Sequence, residues 1–379
     1  MDGMEHYLDN AATTRVCPEA AEAAVYAMEA CYGNPSSTHR KGREAAALLS
    51  RARAQVSGAL GCRPEELVFT SCGSESDNWA LLAGAEAARR TGKHILSSAV
   101  EHDAVRKALD LLEQRGWEVT RLAPDKSGAI RVEDVAAALR EDTALVSLML
   151  VNNETGAVTD VAGVARLLRE RGSRALLHTD AVQGFLKLPF TAASLGADLV
   201  SISAHKIHAP KGVGALYIRS GLRLRPFVVG GGQENGRRAG TEALPQIAAF
   251  GAAAEIGAAG MAENCARMAA QKAVIVERLR GAIGELQWVE SDAPHILNLS
   301  LPGWRSEVLM NFLEAREIYV SKSSACKKGG RSHVLEAMGL PSRVIDGALR
   351  IGLSRFTGEE DVEALCRALV EAHDTLAHR

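Results

Sequence analysis

The stretch LVSISAHK, residues Leu199–Lys206, decides the fold because it reads as a buried apolar strand that ends in polar residues. A second apolar stretch, ALLHTDAVQ, precedes it and carries Asp180 near its end. Parallel strands bring their carboxyl ends to one edge of a sheet, so Lys206 and Asp180 are expected to meet there. A lysine that forms a Schiff base and an aspartate that keeps a pyridine nitrogen protonated are what pyridoxal phosphate requires. The two strand ends therefore predict a pyridoxal phosphate enzyme.

Each residue of this pair also has a simpler interpretation. A lysine at a strand end is more often a solvated surface residue. An aspartate after a strand commonly caps a turn or a helix. The pair alone therefore leaves the cofactor open, and the rest of the chain has to decide.

Apolar runs alternate with amphipathic, alanine-rich stretches over the first two thirds of the chain. We predict strands at 67–70, 94–97, 118–122, 144–151, 175–179, 199–203 and 213–218. We predict helices at 74–90, 102–115, 132–139 and 161–171. Helices between successive strands are typical of βαβ units, so the sequence predicts an α/β fold with a mostly parallel sheet.

The pattern changes from about Pro245. A long helical stretch runs to about Gly284, and shorter strands at 295–301 and 317–321 and a helix at 359–373 follow. We interpret this part as a second, smaller α/β domain. The predicted division is a large cofactor-binding domain at 16–255 and a small domain made of 1–15 and 256–379.

Composition excludes several classes of protein. The chain has 379 residues, of which 47% are hydrophobic and 24% charged, and its net charge of −2 indicates no general attraction to nucleic acid. No apolar run is long enough to cross a bilayer, and the acidic N-terminus lacks a signal core. The seven cysteines are scattered, without a Cys-x-x-Cys pair. We therefore expect no metal site, no disulfide framework and a cytoplasmic location.

Two segments are candidates for binding a phosphate. The stretch FTSCGSESDN, residues 69–78, lies between a predicted strand and a predicted helix, and it contains Gly73 and Ser74. Free backbone N–H groups at a helix N-terminus favour an anion, although a simple cap by Ser74 is the alternative. The stretch GGGQENGRRAGT, residues 230–241, is a second glycine-rich loop and is a weak signal by itself.

Cys326 is the candidate nucleophile. It lies in the polar, glycine-containing stretch SKSSACKKGGR, residues 321–331, among four lysines and arginines. Nearby cations favour the thiolate, which is the reactive form of cysteine. A surface cysteine in a basic loop is the simpler alternative.

Taken together, these segments resemble one family, the cysteine desulfurases, which are pyridoxal phosphate enzymes of fold type I in the class V aminotransferase group. The resemblance covers nearly the whole chain. The matching stretches, in chain order, are YLDNAATT (7–14), GNPSS (33–37), EH (101–102), VNNETG (151–156), DAVQ (180–183), SAHK (203–206), SAC (324–326) and LRIGLSRF (349–356). The resemblance implies a mostly parallel seven-stranded sheet with helices on both faces.

The resemblance also implies a set of residue roles. Lys206 is the Schiff-base lysine and a proton shuttle, Asp180 pairs with the pyridinium nitrogen, and His102 stacks on the ring and acts as acid or base. Cys326 accepts the sulfur of L-cysteine as a persulfide. The remaining cofactor-binding residues are Gly73, Ser74, Asn153, Gln183, Ser203, His205 and Thr241, the last from the neighbouring subunit of a homodimer. The substrate carboxylate is held by Asn153 and Arg350, with Asn34 nearby.

Two departures from the family pattern concern the loops. Cys72 and Ser74 stand where family members usually carry glycine and threonine. Lys327 and Lys328 follow the reactive cysteine where small hydroxyl residues are usual, and that loop is slightly short.

Several functions are compatible with this set of residues. The resemblance predicts conversion of L-cysteine to L-alanine, with sulfur delivered to an acceptor protein for iron–sulfur cluster assembly, cofactor synthesis or tRNA thiolation. A selenocysteine lyase or a cysteine sulfinate-directed enzyme shares the fold and depends less on Cys326. An ordinary class V aminotransferase needs no Cys326. A non-catalytic scaffold of the same fold is the alternative that the complete set of reactive residues disfavours.

Overall fold

A large twisted sheet forms the centre of the molecule in the computed structural model, which describes residues 4–323 and 330–376. Its seven strands, numbered along the chain, are β2 (Leu67–Thr70), β3 (His94–Ser98), β4 (Glu118–Leu122), β5 (Thr143–Ser147), β6 (Leu176–Asp180), β7 (Leu199–Ser203) and β8 (Gly214–Ile218). Their order across the sheet is β2-β8-β7-β6-β5-β3-β4. All neighbours pair in parallel except β8, which is antiparallel to β2 and β7. The predicted mostly parallel sheet is therefore confirmed.

Helices cover both faces of this sheet because its central strands are apolar on both sides. Ile95 packs with Leu81 and Val105 on one face, whereas its neighbour Leu96 belongs to the core on the other face. Successive side chains of a strand point to opposite faces, so a continuous apolar run needs cover on both. The helices of this part are α1 (Pro18–Glu29), α2 (Arg40–Leu60), α3 (Gly73–Ala88), α4 (Asp103–Gln114), α5 (Val132–Ala138), α6 (Val161–Glu170), α7 (Ala192–Leu195) and α8 (Leu244–Ala259).

The C-terminal part of the chain builds a second apolar core with a smaller sheet. Its strands are β9 (Gln287–Val289), β10 (Ile296–Ser300), β12 (Ser321–Lys322) and β13 (Ala348–Gly352), in the order β12-β13-β10-β9. Its helices are α9 (Met261–Ala282), α10 (Ser306–Glu314), α11 (His333–Ala337), α12 (Ser342–Asp346) and α13 (Glu359–Thr375).

The start of the chain packs with this second core. β1 (His6–Tyr7) pairs in parallel with β11 (Ile318–Tyr319), and Leu8 lies among the buried residues of the small sheet and its helices. The division of the chain into domains at the boundaries given above stays a prediction.

Three elements differ from the sequence prediction. The strand expected over 317–321 is two short strands, β11 and β12, which belong to different sheets. The long helix expected from Pro245 to Gly284 is two helices that meet at Gly260. Glycine is a poor helix former, and the break separates α8, which is buried against α1 and α2, from α9, which packs on α13. The strand predicted over 144–151 ends at Ser147, although Leu148 and Leu150 still donate hydrogen bonds to the carbonyls of His178 and Asp180.

Candidate active site

One cavity of about 300 Å³ lies where the carboxyl ends of the parallel strands meet the small domain. This volume is at the lower end of the range for small-molecule sites. Most of the predicted site residues line it, namely Gly73, Ser74, His102, Asn153, Asp180, Gln183, Ser203, His205, Lys206 and Arg350. The fold therefore brings together side chains from opposite ends of the chain.

Three of the predicted residues are not seen in this cavity. In the described part of the chain, Asn34 and Thr241 do not line it. The Asn34 side chain instead accepts a hydrogen bond from the Ser36 N–H (2.9 Å). Cys326 falls within 324–329, outside the described residues.

Lys206 enters the cavity from the end of β7. The strand passes directly into a single 3₁₀ turn, Ala204–Lys206. There the ammonium donates to the carbonyl oxygens of Ala11 (2.5 Å) and Ala12 (2.6 Å). The segment that follows β1 therefore fixes the position of the amino group.

Asp180 is the last residue of β6 and is buried beside Lys206. One of its carboxylate oxygens accepts a hydrogen bond from the Val182 N–H (2.9 Å). Burial raises the pKa of Asp180, and the charges of His102 and Lys206 oppose that shift. A nearby cation thus favours the ionised carboxylate in this otherwise costly location.

His102 precedes α4 and caps it. Its Nδ1 accepts a hydrogen bond from the Ala104 N–H (3.1 Å). Because Nδ1 is an acceptor, the proton of the neutral ring is on Nε2. The ring faces the cavity, so it can exchange a proton with a bound molecule through Nε2.

The residues of the cavity fit pyridoxal phosphate. Ser203 Oγ and Gln183 Oε1 are buried there and have no hydrogen-bond partner among the described residues. Helix α3 begins at the cavity with Gly73, and a Cβ at Gly73 would lie only 2.9 Å from the Val182 side chain. The N–H groups of its first turn can receive an anion. This part of the chain thus offers a phosphate cradle, buried polar partners for a ring and an amino group.

Arg350 supplies a buried cation on the opposite wall. It lies on β13 with 2% of its side chain exposed, and it donates to the Asn153 carbonyl and to Asp9 Oδ1, both at 3.0 Å. Its Nε is buried without a partner among the described residues. A guanidinium held in this way can bind a carboxylate with two parallel hydrogen bonds.

Asp9 is a site residue that the sequence did not reveal. Its Oδ1 accepts from Arg350 and from Ser321 Oγ (2.7 Å), so it orients the guanidinium. The only available signal was its place in the matching stretch YLDNAATT.

Buried carboxyls around the cavity are the largest group that sequence analysis missed. Asp77, Glu101 and Glu154 are each at most 5% exposed. Burial raises the pKa of Glu101 to about 8 and that of Glu154 to about 7. The signal that could have found Asp77 is its position on a helical face whose other members are small or apolar.

The cations expected to activate Cys326 are partly engaged elsewhere. Lys322 pairs with Glu307 (3.2 Å), and Arg331 makes two hydrogen bonds to Asp346 (2.7 and 2.8 Å). Both cations thus have carboxylate partners among the described residues, and the activation of Cys326 stays a prediction.

The glycine-rich loop is anchored away from the cavity. Glu234, which adopts a left-handed backbone conformation (φ 49°), accepts from both guanidinium nitrogens of Arg53 (2.8 and 2.6 Å) and from the Phe69 N–H (2.9 Å). The loop then leads to Thr241, which is exposed. Thr241 is therefore available to another molecule rather than to the cavity of its own subunit.

Comparison with known proteins agrees with this geometry. The family model for class-V aminotransferases matches residues 6–365. A cysteine desulfurase of Trichormus azollae is 39% identical over 376 residues, which cover 98% of this chain and 93% of that protein. A solved NifS-like protein superposes with a TM-score of 0.93 at 37% identity, covering 98% of this chain and all of the other. The structure of SspA in complex with cysteine superposes with a TM-score of 0.79 at 30% identity, covering 94% of this chain and all of that one.

The chain therefore belongs to the class-V aminotransferase family, and the cysteine desulfurases are members of that family that it matches over nearly its whole length. The fold class and the resemblance predicted from the sequence are confirmed. Class-V aminotransferases use pyridoxal phosphate, which fits the cavity described above.

The described residues show two further features. No helix within 4–323 and 330–376 combines the length and the hydropathy that crossing a membrane requires. The same residues contain no group of three potential metal ligands.

Glu101→Gln should make the protein more stable than the wild type, increasingly so as the pH rises. The pKa of Glu101 is about 8 in the folded protein and about 4.3 in an unfolded chain, so the folded state binds the extra proton between these values. The free energy of unfolding of the wild type therefore decreases as the pH rises from about 4 to 8, because the proton that the folded state binds at Glu101 is lost. Urea denaturation at about pH 5, 7 and 9 should show the difference between variant and wild type growing by at least about 1 kcal/mol.

The exposed carboxyl Glu65 provides the control, because Glu65→Gln should track the wild type at every pH. A difference between Glu101→Gln and the wild type that does not change with pH would show that Glu101 is ionised throughout.

Proposed function

We propose that this protein is a cysteine desulfurase that converts L-cysteine to L-alanine and transfers the sulfur to Cys326 as a persulfide. The observation that carries the proposal is the convergence of Lys206, Asp180, His102 and Arg350 on one small cavity. These residues provide an amine, a partner for a ring nitrogen, a proton carrier and a carboxylate site. The family membership and the cysteine-bound structure of SspA support the same assignment.

Pyridoxal phosphate is the cofactor that we assign to the cavity. When bound, it supplies an electron-withdrawing ring that stabilises negative charge on the α-carbon of an amino acid. Lys206 would hold its aldehyde carbon, Asp180 its ring nitrogen, and Gln183 its ring hydroxyl. Gly73, Ser74, Ser203 and His205 would receive its phosphate, and Thr241 of a neighbouring subunit would add a further hydroxyl.

Arg350 binds the carboxylate of L-cysteine. Its guanidinium is buried and already oriented by Asp9 and the Asn153 carbonyl, so little side-chain freedom is lost when the substrate binds. Asn153 lines the same cavity and would complete the substrate site, whereas Asn34, which was expected nearby, does not line it. A lysine in place of Arg350 would lose the planar two-point contact.

Lys206 and His102 move the protons. The amino group of Lys206 would remove the proton from the α-carbon of cysteine. His102 Nε2 carries a proton to or from the reacting molecule, since its Nδ1 is occupied by the Ala104 N–H. Both groups face the same cavity, so neither step requires bulk water.

Cys326 takes the sulfur atom. Its thiolate attacks the substrate sulfur, an S–S bond forms, and the bond between the substrate sulfur and Cβ breaks with its electron pair staying on carbon. Protonation of that carbon leads to alanine, and the outer sulfur stays on Cys326. A thiol reductant then releases it as sulfide.

Lys206→Ala should abolish the visible absorbance of bound pyridoxal phosphate near neutral pH. The variant loses the amino group that would hold the aldehyde, so the cofactor should bind weakly and keep the spectrum of the free aldehyde. Absorption spectra after gel filtration measure this directly. A variant with an unchanged spectrum would contradict the assignment of Lys206.

Cys326→Ala should keep the bound cofactor and its spectrum but lose at least about 100-fold in the release of alanine and sulfide from L-cysteine with reductant. The matched control is Cys62→Ala, since Cys62 does not line the cavity. Equal product release by the Cys326 variant and the wild type would exclude Cys326 as acceptor. A retained activity on L-selenocysteine in the variant would favour a selenocysteine lyase.

A homodimer is the quaternary structure that the surface supports. Large apolar side chains are exposed on α1 and just after it, including Tyr26 (56% exposed) and Tyr32 (66%). Val229, which is 85% exposed, lies in the loop that leads to Thr241. A soluble monomer seldom exposes so many large apolar groups, and a second copy of the chain would bury them.

Val229→Glu should shift the protein toward monomers, because a charge is costly to bury in an apolar interface. Sedimentation equilibrium measures the shift, which we expect to reach at least about tenfold in the dissociation constant. The control is Val308→Glu, since Val308 is 43% exposed on α10, in the smaller domain. Dimers of unchanged stability in the Val229 variant would place the interface elsewhere.

The destination of the sulfur follows from the same chemistry. A persulfide needs an acceptor protein, and iron–sulfur cluster assembly or thiolation of tRNA or cofactors would consume it. The six described cysteines are free thiols, which supports a reducing compartment such as the cytoplasm.

A further inference from the structure

Four polar side chains lie on the face of the large sheet that α3 covers. On β6, His178 and Asp180 are two residues apart and therefore project from the same face. The strand register places Ser147 of β5 beside His178. It places Ser201 of β7 beside Asp180. All four are buried, and together they form a polar cluster in the sheet, of which Asp180 lines the cavity.

The side chain of Asp77, on α3, lies against this polar cluster. It is 1% exposed, and its Oδ1 has no hydrogen-bond partner among the described residues. The same oxygen lies 3.6 Å from His178 Nε2. The Ser201 side chain also acts on the Asp77 carboxyl and lowers its pKa, against the larger effect of burial. Asp77 and Asp180 line the same cavity, so two carboxyl groups share one dry location.

Two hydrogen bonds join His178, which lies beside Asp77, to serines of the neighbouring strands. His178 Nε2 lies 3.0 Å from Ser201 Oγ, and His178 Nδ1 lies 2.8 Å from Ser147 Oγ. Burial lowers the pKa of His178 to about 3, so its ring is neutral and carries one proton. If the Ser201 hydroxyl donates to Nε2, the ring proton of His178 is on Nδ1. If Nε2 donates to Ser201, the ring proton is on Nε2, and the orientation of the Ser201 hydroxyl depends on the protonation of Asp77.

The groups whose charges act on Asp77 are all acidic, namely Asp180, Glu101 and Cys72. Burial raises the pKa of Asp77 well above its ordinary value, and the charge of Asp180 adds to the shift. Asp180 has the compensation that Asp77 lacks, because the Val182 N–H, His102 and Lys206 stabilise its charge. The titratable groups that face the pair are His178 on β6, Glu101 after β3, Cys72 before α3, and Lys206 and His102 beside Asp180.

We propose that Asp77 is a positioning residue for Asp180. Asp77 holds a proton near neutral pH, and Asp180 is therefore the ionised member of the pair that faces the ring nitrogen of the cofactor. Two like charges in one buried site cannot both persist, so the proton on Asp77 is what allows Asp180 to stay charged. This inference rests on the proposed function for the role of Asp180.

The proposal fixes the direction of each hydrogen bond that would join Asp77, Ser201, His178 and Ser147. A protonated Asp77 donates to Ser201 Oγ, and Ser201 then donates to His178 Nε2. His178 must carry its proton on Nδ1 and donate it to Ser147 Oγ. If Asp77 is ionised, each bond reverses and the proton is on Nε2. The tautomer of His178 thus reports the protonation state of Asp77.

The first test is nitrogen NMR of the full chain labelled at its histidines, with pyridoxal phosphate bound. The His178 signals are assigned by their loss in His178→Gln. We expect the proton on Nδ1 near pH 7 in the wild type. We expect the same in Asp77→Asn, whose amide also donates to Ser201. A proton on Nε2 in the wild type near pH 7 overturns the proposal.

The second test measures the coupling between the two carboxyls. Asp180→Asn removes the like charge, so His178 should move its proton to Nε2 at a pH at least about one unit lower than in the wild type. Glu101→Gln is the matched control, because Glu101 contributes less than Asp180 to the shift at Asp77, and its effect should be smaller. Asp77→Asn should show no transition at any pH.

An Asp180→Asn protein without a transition below about pH 9 shows that the two carboxyls are not coupled, and the proposal is then wrong. A transition that persists in Asp77→Asn overturns it equally. These outcomes are independent of desulfurase activity, since the tautomer of His178 is read without substrate. The proposed function can therefore fail while this inference stands, and the reverse also holds.

Discussion

The active site depends on one constraint, the parallel pairing of β6 with β7. This pairing sets Asp180 beside Ser201, and it carries the chain on to Lys206 within one 3₁₀ turn. The carboxylate and the amine therefore reach the same edge of the sheet without a long loop. Apolar strands buried on both faces hold this register firmly, because a slip by one residue would turn every side chain to the wrong face.

The small domain completes the site from the other side. Arg350 lies on a strand of the small sheet, and its guanidinium is held by Asp9 near the start of the chain and by the Asn153 carbonyl after β5. The proposed carboxylate site thus requires the two cores to stay in contact. A buried arginine tolerates this location only because carboxylate and carbonyl oxygens replace its water.

Burial decides the electrostatics of the site more than formal charge does. Asp77, Glu101, Glu154 and Asp180 are all carboxyls, yet they differ in the donors that surround them. Glu154 accepts a hydrogen bond from Ser332, whereas Asp180 accepts one from a backbone N–H and lies near Lys206 and His102. A dry site with several acids must keep some of them protonated, and that requirement separates the roles of chemically similar residues.

The sequence by itself determined the α/β alternation and most strand limits, and it pointed to Lys206 and Asp180, because apolar periodicity and strand-end polarity are local patterns. His102 and Arg350 were predicted only from the resemblance to the cysteine desulfurases. It did not determine the break at Gly260, the contact of Asp9 with Arg350, or the meeting of Asp77 with His178. These depend on which helix covers which face of the sheet and on how the two cores approach each other. Only the tertiary structure decides such contacts, since they join residues that are distant in the chain and carry no shared periodicity.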